Sequence, residues 1–378
     1  MSDKLRTGII GCGGMARNHI GGYLECGRFE IAALADSSEE AMLECDALFG
    51  GQTGYGSKKY DDPRLMLDSE ELDVVSVCTW HRTHATWTIA AAARRPKAIL
   101  CEKPMAEDLG RADEMRMVCE RNGVKLAIAH QRRFLPAYVM ARDLIAEGAI
   151  GKVELLHCQA AYGLPNWSTH HADMFRFLLG SECAWVMGSV ERRTDRMERG
   201  TRIEDRAVGA FGFENGARAV LLSDLTEEFY QGAQIYGTEG MIDLQTERLR
   251  LLSARTAGKW ETFTPDGRFF KANADRFEWV EGAAAQADEL ADWVEGKIPL
   301  HRGEAINGYR ALEIVMAVYE SARLHERVVL PLETRVNPLD EMVRTGHLPV
   351  LRPGTYDIRA PKLRGEAVLY DETDERRG

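Results

Sequence analysis

The sequence contains no C-x-x-C pair, no zinc-type grouping of its eight cysteines and no apolar stretch long enough to span a bilayer. Cysteines such as Cys78 and Cys101 lie inside short apolar runs, which favours buried free thiols over a disulfide framework. The first residues also lack the apolar region of a secretory signal. We therefore expect a soluble, cytoplasmic protein that holds no metal.

Positive charge is also scarce. Lysine and arginine number 48 against 59 acidic residues, which gives a formal net charge of -11 at pH 7. A negative surface repels DNA, RNA and anionic lipid, and no basic run with interleaved aromatic residues offsets it. Nucleic acids and membranes are therefore not expected as partners.

The first third of the chain alternates short apolar runs with segments of helix length. Alternation of this kind predicts βαβ units and a doubly wound parallel sheet, which is an α/β fold. We place this Rossmann domain at residues 1–130. Its predicted strands are Leu5–Ile10, Phe29–Ala35, Asp73–Thr79, Ala98–Cys101 and Lys125–Ala129.

The pattern changes after residue 130. Several short strands separated by turns predict a second, α+β domain over residues 131–335, with a mostly antiparallel sheet and helices on one side. Asn215-Gly216, between two apolar runs, predicts a hairpin. The Pro- and charge-rich residues 336–378 predict an extended arm that lies over the surface or a neighbouring subunit.

A glycine-rich turn follows the first predicted strand. Gly11, Gly13 and Ala16 form a G-x-G-x-x-A string that Gly14 and Met15 complete. In a dinucleotide site the first glycine permits a tight turn, the second admits a pyrophosphate, and the small alanine lets the helix pack close to the sheet. The phosphate then binds the free N–H groups of the helix. Alone, the string also fits a glycine-rich turn of another α/β protein.

An acidic residue ends the next predicted strand. Asp36 lies 25 residues after Gly11, near the position at which an acid binds the ribose hydroxyls. The alternative is that Asp36 only caps the following helix. Ser37 and the residues after it include no nearby cation for a 2′-phosphate. The sequence therefore favours NAD over NADP.

Two further strand ends carry candidate chemistry. One strand leads into the turn 79–84, and the next closes with Glu102, Lys103 and Pro104. The carboxyl ends of parallel strands face the ligand crevice, where a lysine can exchange a proton with an alcohol oxygen as hydride leaves the carbon. Burial beside other cations would lower its pKa toward the working range. Alone, these residues favour the alternative, a surface lysine at a strand–loop junction.

Together these motifs resemble the glucose-fructose oxidoreductase, inositol dehydrogenase and rhizopine-catabolism (Gfo/Idh/MocA) family, over roughly residues 4–330. The marks that carry the resemblance are the glycine turn, Asp36, Thr79 to His84, Glu102-Lys103-Pro104, and Asn166-x-x-x-His170-x-x-Asp173, with weaker echoes at Glu204-Asp205 and Gly237 to Gly240. Family members often pair through the sheet of the second domain, so the resemblance implies a homodimer or homotetramer.

The resemblance also implies roles for individual residues. Lys103 would hydrogen-bond the reacting hydroxyl, His170 would act with it as acid and base, and Asn166 stands where relatives often carry aspartate. The expected cofactor contacts are Gly11, Gly13, Gly14, Met15, Ala16, Asp36, Ser37, Thr79, Trp80, His81, His84, Glu102 and Lys103. The expected substrate contacts are Arg132, Arg133, Tyr162, Trp167 and His171.

The chain departs from the family pattern at two positions. The turn reads Thr79-Trp80-His81 where the family has Thr-Pro-Asn, so cofactor contacts should differ in detail. Asn166 cannot accept a proton, which leaves His170 as the base, and Asp173 either orients its imidazole or simply belongs to the helix.

Two other interpretations remain open for residues at the start of the same helix. His170 and His171 could be a metal pair, but no third ligand is apparent. Trp167 either contacts a sugar face or belongs to the core.

The leading hypothesis is NAD-dependent oxidation of a secondary alcohol on a sugar, a sugar derivative or an inositol. One alternative keeps NAD bound and uses transient oxidation at C3 to cleave a glycoside or epimerise a sugar. A third is a non-enzymatic sugar- and NAD-sensing regulator, which would have no reason to keep Lys103 and His170 together.

Overall fold

The computed structural model describes residues 4–53, 56–226, 232–269 and 280–358. The last part of the predicted arm, residues 359–378, lies outside this range. In the described part of the chain, no helix is both long and apolar enough to cross a membrane.

The N-terminal part forms a six-stranded, wholly parallel sheet with strand order β3-β2-β1-β4-β5-β6. The predicted doubly wound sheet is therefore confirmed, while β3 and α3 were not predicted. The strands are β1 (Leu5–Ile10), β2 (Phe29–Ala35), β3 (Lys58–Tyr60), β4 (Val74–Val77), β5 (Ala98–Cys101) and β6 (Lys125–Ile128). The helices are α1 (Gly14–Cys26), α2 (Glu39–Thr53), α3 (Pro63–Ser69), α4 (His84–Ala92) and α5 (Leu109–Asn122).

This sheet is buried on both faces. Successive residues of β1 enter different clusters, Ile9 with α1 and α2, and Ile10 with α3, α4 and α5. All four residues of β4 and of β5 are buried, as parallel strands covered on both sides require. The strand order reverses between β1 and β4, so the crevice at their carboxyl ends is the natural ligand site of the fold.

The remaining chain forms a second, nine-stranded sheet with order β16-β15-β14-β13-β7-β12-β11-β8-β17. Its pairs are antiparallel except for β7 with β12, which confirms a mostly antiparallel sheet, and the Asn215-Gly216 turn joins β11 to β12 as predicted. The strands after β6 are β7 (Val153–Ala160), β8 (Cys183–Glu191), β9 (Thr194–Glu198), β10 (Thr201–Arg202), β11 (Arg206–Phe213), β12 (Arg218–Ser223), β13 (Ala233–Gly237), β14 (Gly240–Leu244), β15 (Leu249–Ser253), β16 (Glu261–Phe263), β17 (Val328–Val329) and β18 (Arg352–Asp357).

One late helix joins the core of the first sheet. The helices after α5 are α6 (Pro136–Ala146), α7 (Thr169–Leu179), α8 (Val280–Val294), α9 (Ala305–Leu324) and α10 (Pro338–Arg344). Ala287, Leu290 and Trp293 of α8 pack in the same buried cluster as Ile20 and Tyr23 of α1. The predicted domain limits at residues 130 and 335 stay a prediction. Helix α8, which follows the limit at residue 130, packs against α1, which precedes it.

The prediction of an extended arm is wrong for its described part. Residues Pro338–Arg344 form α10, and β18 pairs in parallel with β9 in a small sheet of order β10-β9-β18. Pro338 begins the helix instead of preventing it, because the first helical position needs no N–H donor. The Asn337 side chain accepts the Leu339 N–H at 3.0 Å and caps this helix.

Candidate active site

The glycine turn lies at the crevice between β1 and β4. Gly11 has φ +87°, and a Cβ there would lie 2.8 Å from the Thr79 nitrogen, so only glycine fits. At Gly13 and Gly14 a Cβ would meet no atom within 4 Å. The chain's own packing therefore does not require glycine at these two positions, which leaves room for a ligand to approach the backbone.

The N-terminus of α1 beside this turn suits an anion. Its cap residue, Gly13, offers no side-chain hydrogen bond, and the first turn contains no acid. Asp36 does not cap α2, because Ser38 does so through its contact with the Ala41 N–H. Instead, Asp36 accepts the Cys12 N–H at 2.6 Å and therefore lies at the glycine turn. Turn, helix end and acid together fit the pyrophosphate and ribose of a dinucleotide.

His84 joins the turn after β4 to the loop after β5. Its Nδ1 lies 2.7 Å from the Pro104 carbonyl oxygen and its Nε2 lies 3.0 Å from the Thr79 carbonyl oxygen. Burial lowers the pKa of His84, whose side chain is wholly shielded from solvent. Both ring nitrogens thus face backbone, so His84 holds the two loops in place.

Glu102 is ionised although it is buried. Its Oε1 lies 3.1 Å from Nε2 of His19, and its Oε2 accepts the Lys103 N–H at 3.1 Å. Burial opposes ionisation, but the hydrogen bond from His19 and the charge of Lys103 outweigh it, so the pKa of Glu102 is lowered. His19, on α1, was not predicted as a site residue.

Lys103 reaches across the crevice to the segment that precedes α7. Its Nζ donates to both the backbone oxygen and Oδ1 of Asn166, each at 3.0 Å. Burial lowers the pKa of Lys103 to about 8; Glu102 opposes this shift and the positive charge of Arg199 adds to it. A lysine in this state exchanges a proton readily near neutral pH.

Asn166 is oriented from the other side by Glu198, at the end of β9. The Asn166 amide donates to Glu198 Oε1 at 3.2 Å, so its Oδ1 faces Lys103. Glu198 is fully buried, and its Oε2 lies 3.2 Å from Nδ1 of His81. Glu198 therefore links the Thr79 turn to Asn166. No sequence motif marked it, because β9 was not predicted.

His170 lies in the first turn of α7, four residues after Asn166. Burial and the nearby charges of Lys103 and Arg132 lower its pKa well below the ordinary value, so the imidazole is neutral. The ring of His130 packs edge-on against it, with centroids 5.7 Å apart. Burial also lowers the pKa of His130 to about 4. His130 was missed because it follows β6 without a motif of its own.

Asp173 binds Arg133. Its two oxygens accept from the Arg133 guanidinium at 2.7 to 2.9 Å, and both side chains are buried. Nδ1 of His130 lies 3.9 Å from the same carboxylate. Among the described residues Asp173 is thus engaged by Arg133, so the alternative in which it orients His170 gains no support.

Arg132 and two aromatic side chains continue the site from His170. The Arg132 guanidinium lies 5.5 Å from the Trp167 ring centroid. Trp167 packs 6.4 Å from His170 and 6.1 Å from Tyr162, centroid to centroid. His171 is fully buried and its Nδ1 lies 3.3 Å from the Trp167 carbonyl oxygen. Across the described ranges, no cluster of three His, Cys, Asp or Glu side chains could hold a metal.

Two acids, the partly exposed Asp224 and the buried Glu204, fix the segment that carries these groups. Asp224 accepts the N–H groups of Tyr162 and Gly163 at 3.0 and 2.9 Å. Glu204 accepts the Leu164 N–H at 2.8 Å. Three consecutive backbone donors are thereby satisfied, which sets the path of the chain into Asn166.

Residues 5–130 match an oxidoreductase family, GFO/IDH/MocA, described as an NAD-binding Rossmann fold, and residues 138–243 match the C-terminal domain of that family. The D-apiose dehydrogenase of Paraburkholderia graminis is 32% identical over 85% of this chain and 88% of its own. Inositol 2-dehydrogenase 3 of Saccharopolyspora erythraea is 26% identical over 88% and 97%. The solved levoglucosan dehydrogenase with NADH and levoglucosan has a similar fold, with TM-score 0.76 and 22% identity over 87% of this chain and 100% of that one.

Proposed function

The chain belongs to the GFO/IDH/MocA family of NAD-binding oxidoreductases, and from this premise we propose that it oxidises a secondary alcohol of a sugar, sugar derivative or inositol. Lys103 and His170 are the acid and base of this proposal. The observation that carries it is the partly buried Lys103 side chain, whose Nζ donates to both oxygens of Asn166 one helical turn before His170. Burial lowers the pKa of this amine to about 8, which supports the same role.

The chain's own residues fit NAD. Gly13, Gly14 and the uncapped end of α1 would hold the pyrophosphate, and Asp36 the ribose hydroxyls. When bound, NAD supplies the acceptor for the hydride that leaves the carbinol carbon. We assign the rest of the predicted cofactor contacts to the same side of the crevice, around Met15, Ala16, Ser37, the Thr79 turn and Glu102.

The proton of the hydroxyl goes to Lys103 in this proposal. The neutral amine accepts it at Nζ as the O–H bond breaks, and the resulting ammonium is stabilised by the two Asn166 oxygens. His170 stays neutral and relays the proton onward or holds the substrate oxygen, since its lowered pKa disfavours the imidazolium. Asn166 contributes position only, because an amide oxygen is a poor proton acceptor.

The test is NAD reduction by the purified protein with a panel of pyranoses and inositols, followed through nicotinamide absorbance. We expect turnover with at least one member of the panel, and turnover about 10²–10⁴-fold slower for Lys103→Met. Full activity of that variant would overturn the assignment of Lys103. NAD that copurifies and is unchanged after turnover would instead favour transient oxidation by a retained cofactor.

We further propose that two copies pair through the outer face of the nine-stranded sheet. Three large apolar or aromatic side chains are exposed on this face: Met187 on β8, Val208 on β11 and Tyr236 on β13. Their exposed fractions are 52%, 37% and 36%. An apolar sheet face of this kind is typical of a subunit interface. Light scattering on the purified protein in solution should give a molecular mass of at least twice the 42.3 kDa of one chain.

The cysteines bear on where the protein works. All eight are free and buried thiols. Thiols in this state suit a reducing compartment, so we propose the cytoplasm as its location.

A further inference from the structure

Arg132 is a buried cation without a counter-ion in the part of the chain that the structure describes. Its residue is 2% exposed, and none of its three guanidinium nitrogens has a hydrogen-bond partner there. Its guanidinium lies over the face of the Trp167 ring, 5.5 Å from the ring centroid. The neighbouring Arg133 is equally shielded but binds Asp173 through two nitrogens. Arg133 thus forms a structural ion pair, whereas the Arg132 guanidinium has no such pair among the described residues and can bind a ligand.

The acids around the crevice already have partners. Glu102 binds His19, Glu198 binds Asn166 and His81, and Asp173 binds Arg133. Glu204 accepts from the Leu164 backbone and from the Tyr319 hydroxyl. None of these carboxylates forms an ion pair with Arg132.

Arg132 also lies close to the proposed acid and base. Its positive charge contributes to the lowered pKa of both Lys103 and His170. It shares the Trp167 ring with His170, which packs 6.4 Å from that ring. A single small ligand can therefore contact both Arg132 and Lys103.

We propose that the substrate is a sugar acid, an aldonate or uronate, whose carboxylate binds Arg132 while the hydroxyl to be oxidised faces Lys103. An isolated buried charge is unfavourable until an anion joins it. A carboxylate carries one charge and two parallel acceptors, and so matches a single guanidinium fork. A phosphate dianion usually recruits several donors and more positive charge than one arginine offers. This inference rests on the proposed function and narrows its substrate class.

Matched substrates provide the first test. Wild-type protein with NAD is given glucuronate, galacturonate and gluconate beside glucose, galactose and sorbitol, with glucose 6-phosphate as the phosphate arm. We expect at least one acid to have a kcat/KM roughly 100-fold above its neutral counterpart, the discrimination expected of a bidentate charged contact. A neutral or phosphorylated sugar as the best substrate would overturn the assignment of a sugar acid as the substrate.

Variants provide the second test. Arg132→Met should raise the KM for the preferred acid roughly 100-fold, a far larger change than in the KM for its neutral counterpart. Arg142→Met is the matched control, because Arg142 lies on α6 and pairs with the adjacent Asp143 at the surface. If Arg132 only adjusted Lys103, its loss would shift the pH profile for acid and neutral substrates alike.

Two further measurements keep the inference testable without turnover. Arg132→Met removes an unmatched buried charge, so its melting temperature without ligand should equal or exceed that of wild type. Calorimetric titration of the NADH-loaded protein with the same three acids should show binding that this variant loses. Binding of an acid without turnover of any sugar would defeat the proposed oxidation but keep the subsite. An acid bound equally by both proteins, or by neither, would defeat the subsite.

Discussion

The two sides of the crevice are built in different ways. On one side, Gly11 and Asp36 follow directly after a strand of the six-stranded sheet and Lys103 lies two residues after one, so a strand end fixes their position. On the other side, the segment from Tyr162 to His170 passes through a π-helical turn, Leu164–Ser168, into α7 and is held by side chains from distant parts of the chain. The first side depends on local backbone geometry, and the second on long-range hydrogen bonds to carboxylates.

The largest expected effect comes from the lysine that joins the two sides. Lys103→Met should lower kcat by about 10²–10⁴-fold, the usual contribution of a positioned acid or base, and change NAD binding far less. Lys97→Met is the control, because Lys97 lies at the amino end of the same strand and pairs with Asp73 at the surface. Steady-state kinetics and an NADH titration check both variants. Equal losses in both would mean that Lys103 has no special role.

A smaller effect should follow when the long-range side is loosened. Glu198→Ala removes the acceptor that orients Asn166, so kcat should fall about tenfold to a hundredfold through misplacement of that side chain. Glu198→Gln keeps an oxygen for the Asn166 amide and should lose less. The KM for NAD should change little in either variant. A large rise in that KM would mean that Glu198 serves the cofactor side instead.

The local side can be divided by a pair of glycine variants. Gly13→Val places its Cβ where no protein atom beyond the neighbouring residues lies within 4 Å, so it should keep the melting temperature and raise the KM for NAD by roughly tenfold. Gly11→Ala forces a Cβ to within 2.8 Å of the Thr79 nitrogen at φ +87°. It should lower the free energy of unfolding by about 1–2 kcal/mol from the strained backbone alone. The reverse assignment of binding and stability effects would contradict the packing described here.

Sequence reasoning worked where the signal was local. The five strands, the glycine turn and Lys103 all carry period, spacing or turn chemistry that one stretch of sequence displays. It failed for β8, where Ala184, Gly188 and Ser189 weaken the strand pattern, and for α10, whose proline begins a helix. It also missed Glu198, His19 and His130. Their importance arises only when distant segments meet, and no spacing in the sequence announces that.

The pH dependence of oxidation tests the central claim most directly. Lys103 must be neutral to accept the proton, and its pKa is lowered to about 8. With any accepted substrate and saturating NAD, kcat/KM should rise as the pH increases through about 8 and level off above it, because the ammonium loses its proton there. In the direction of reduction the ammonium is the donor, so the rate should fall over the same interval. Lys103→Met should lose this limb; an unchanged limb in that variant would show that another group takes the proton.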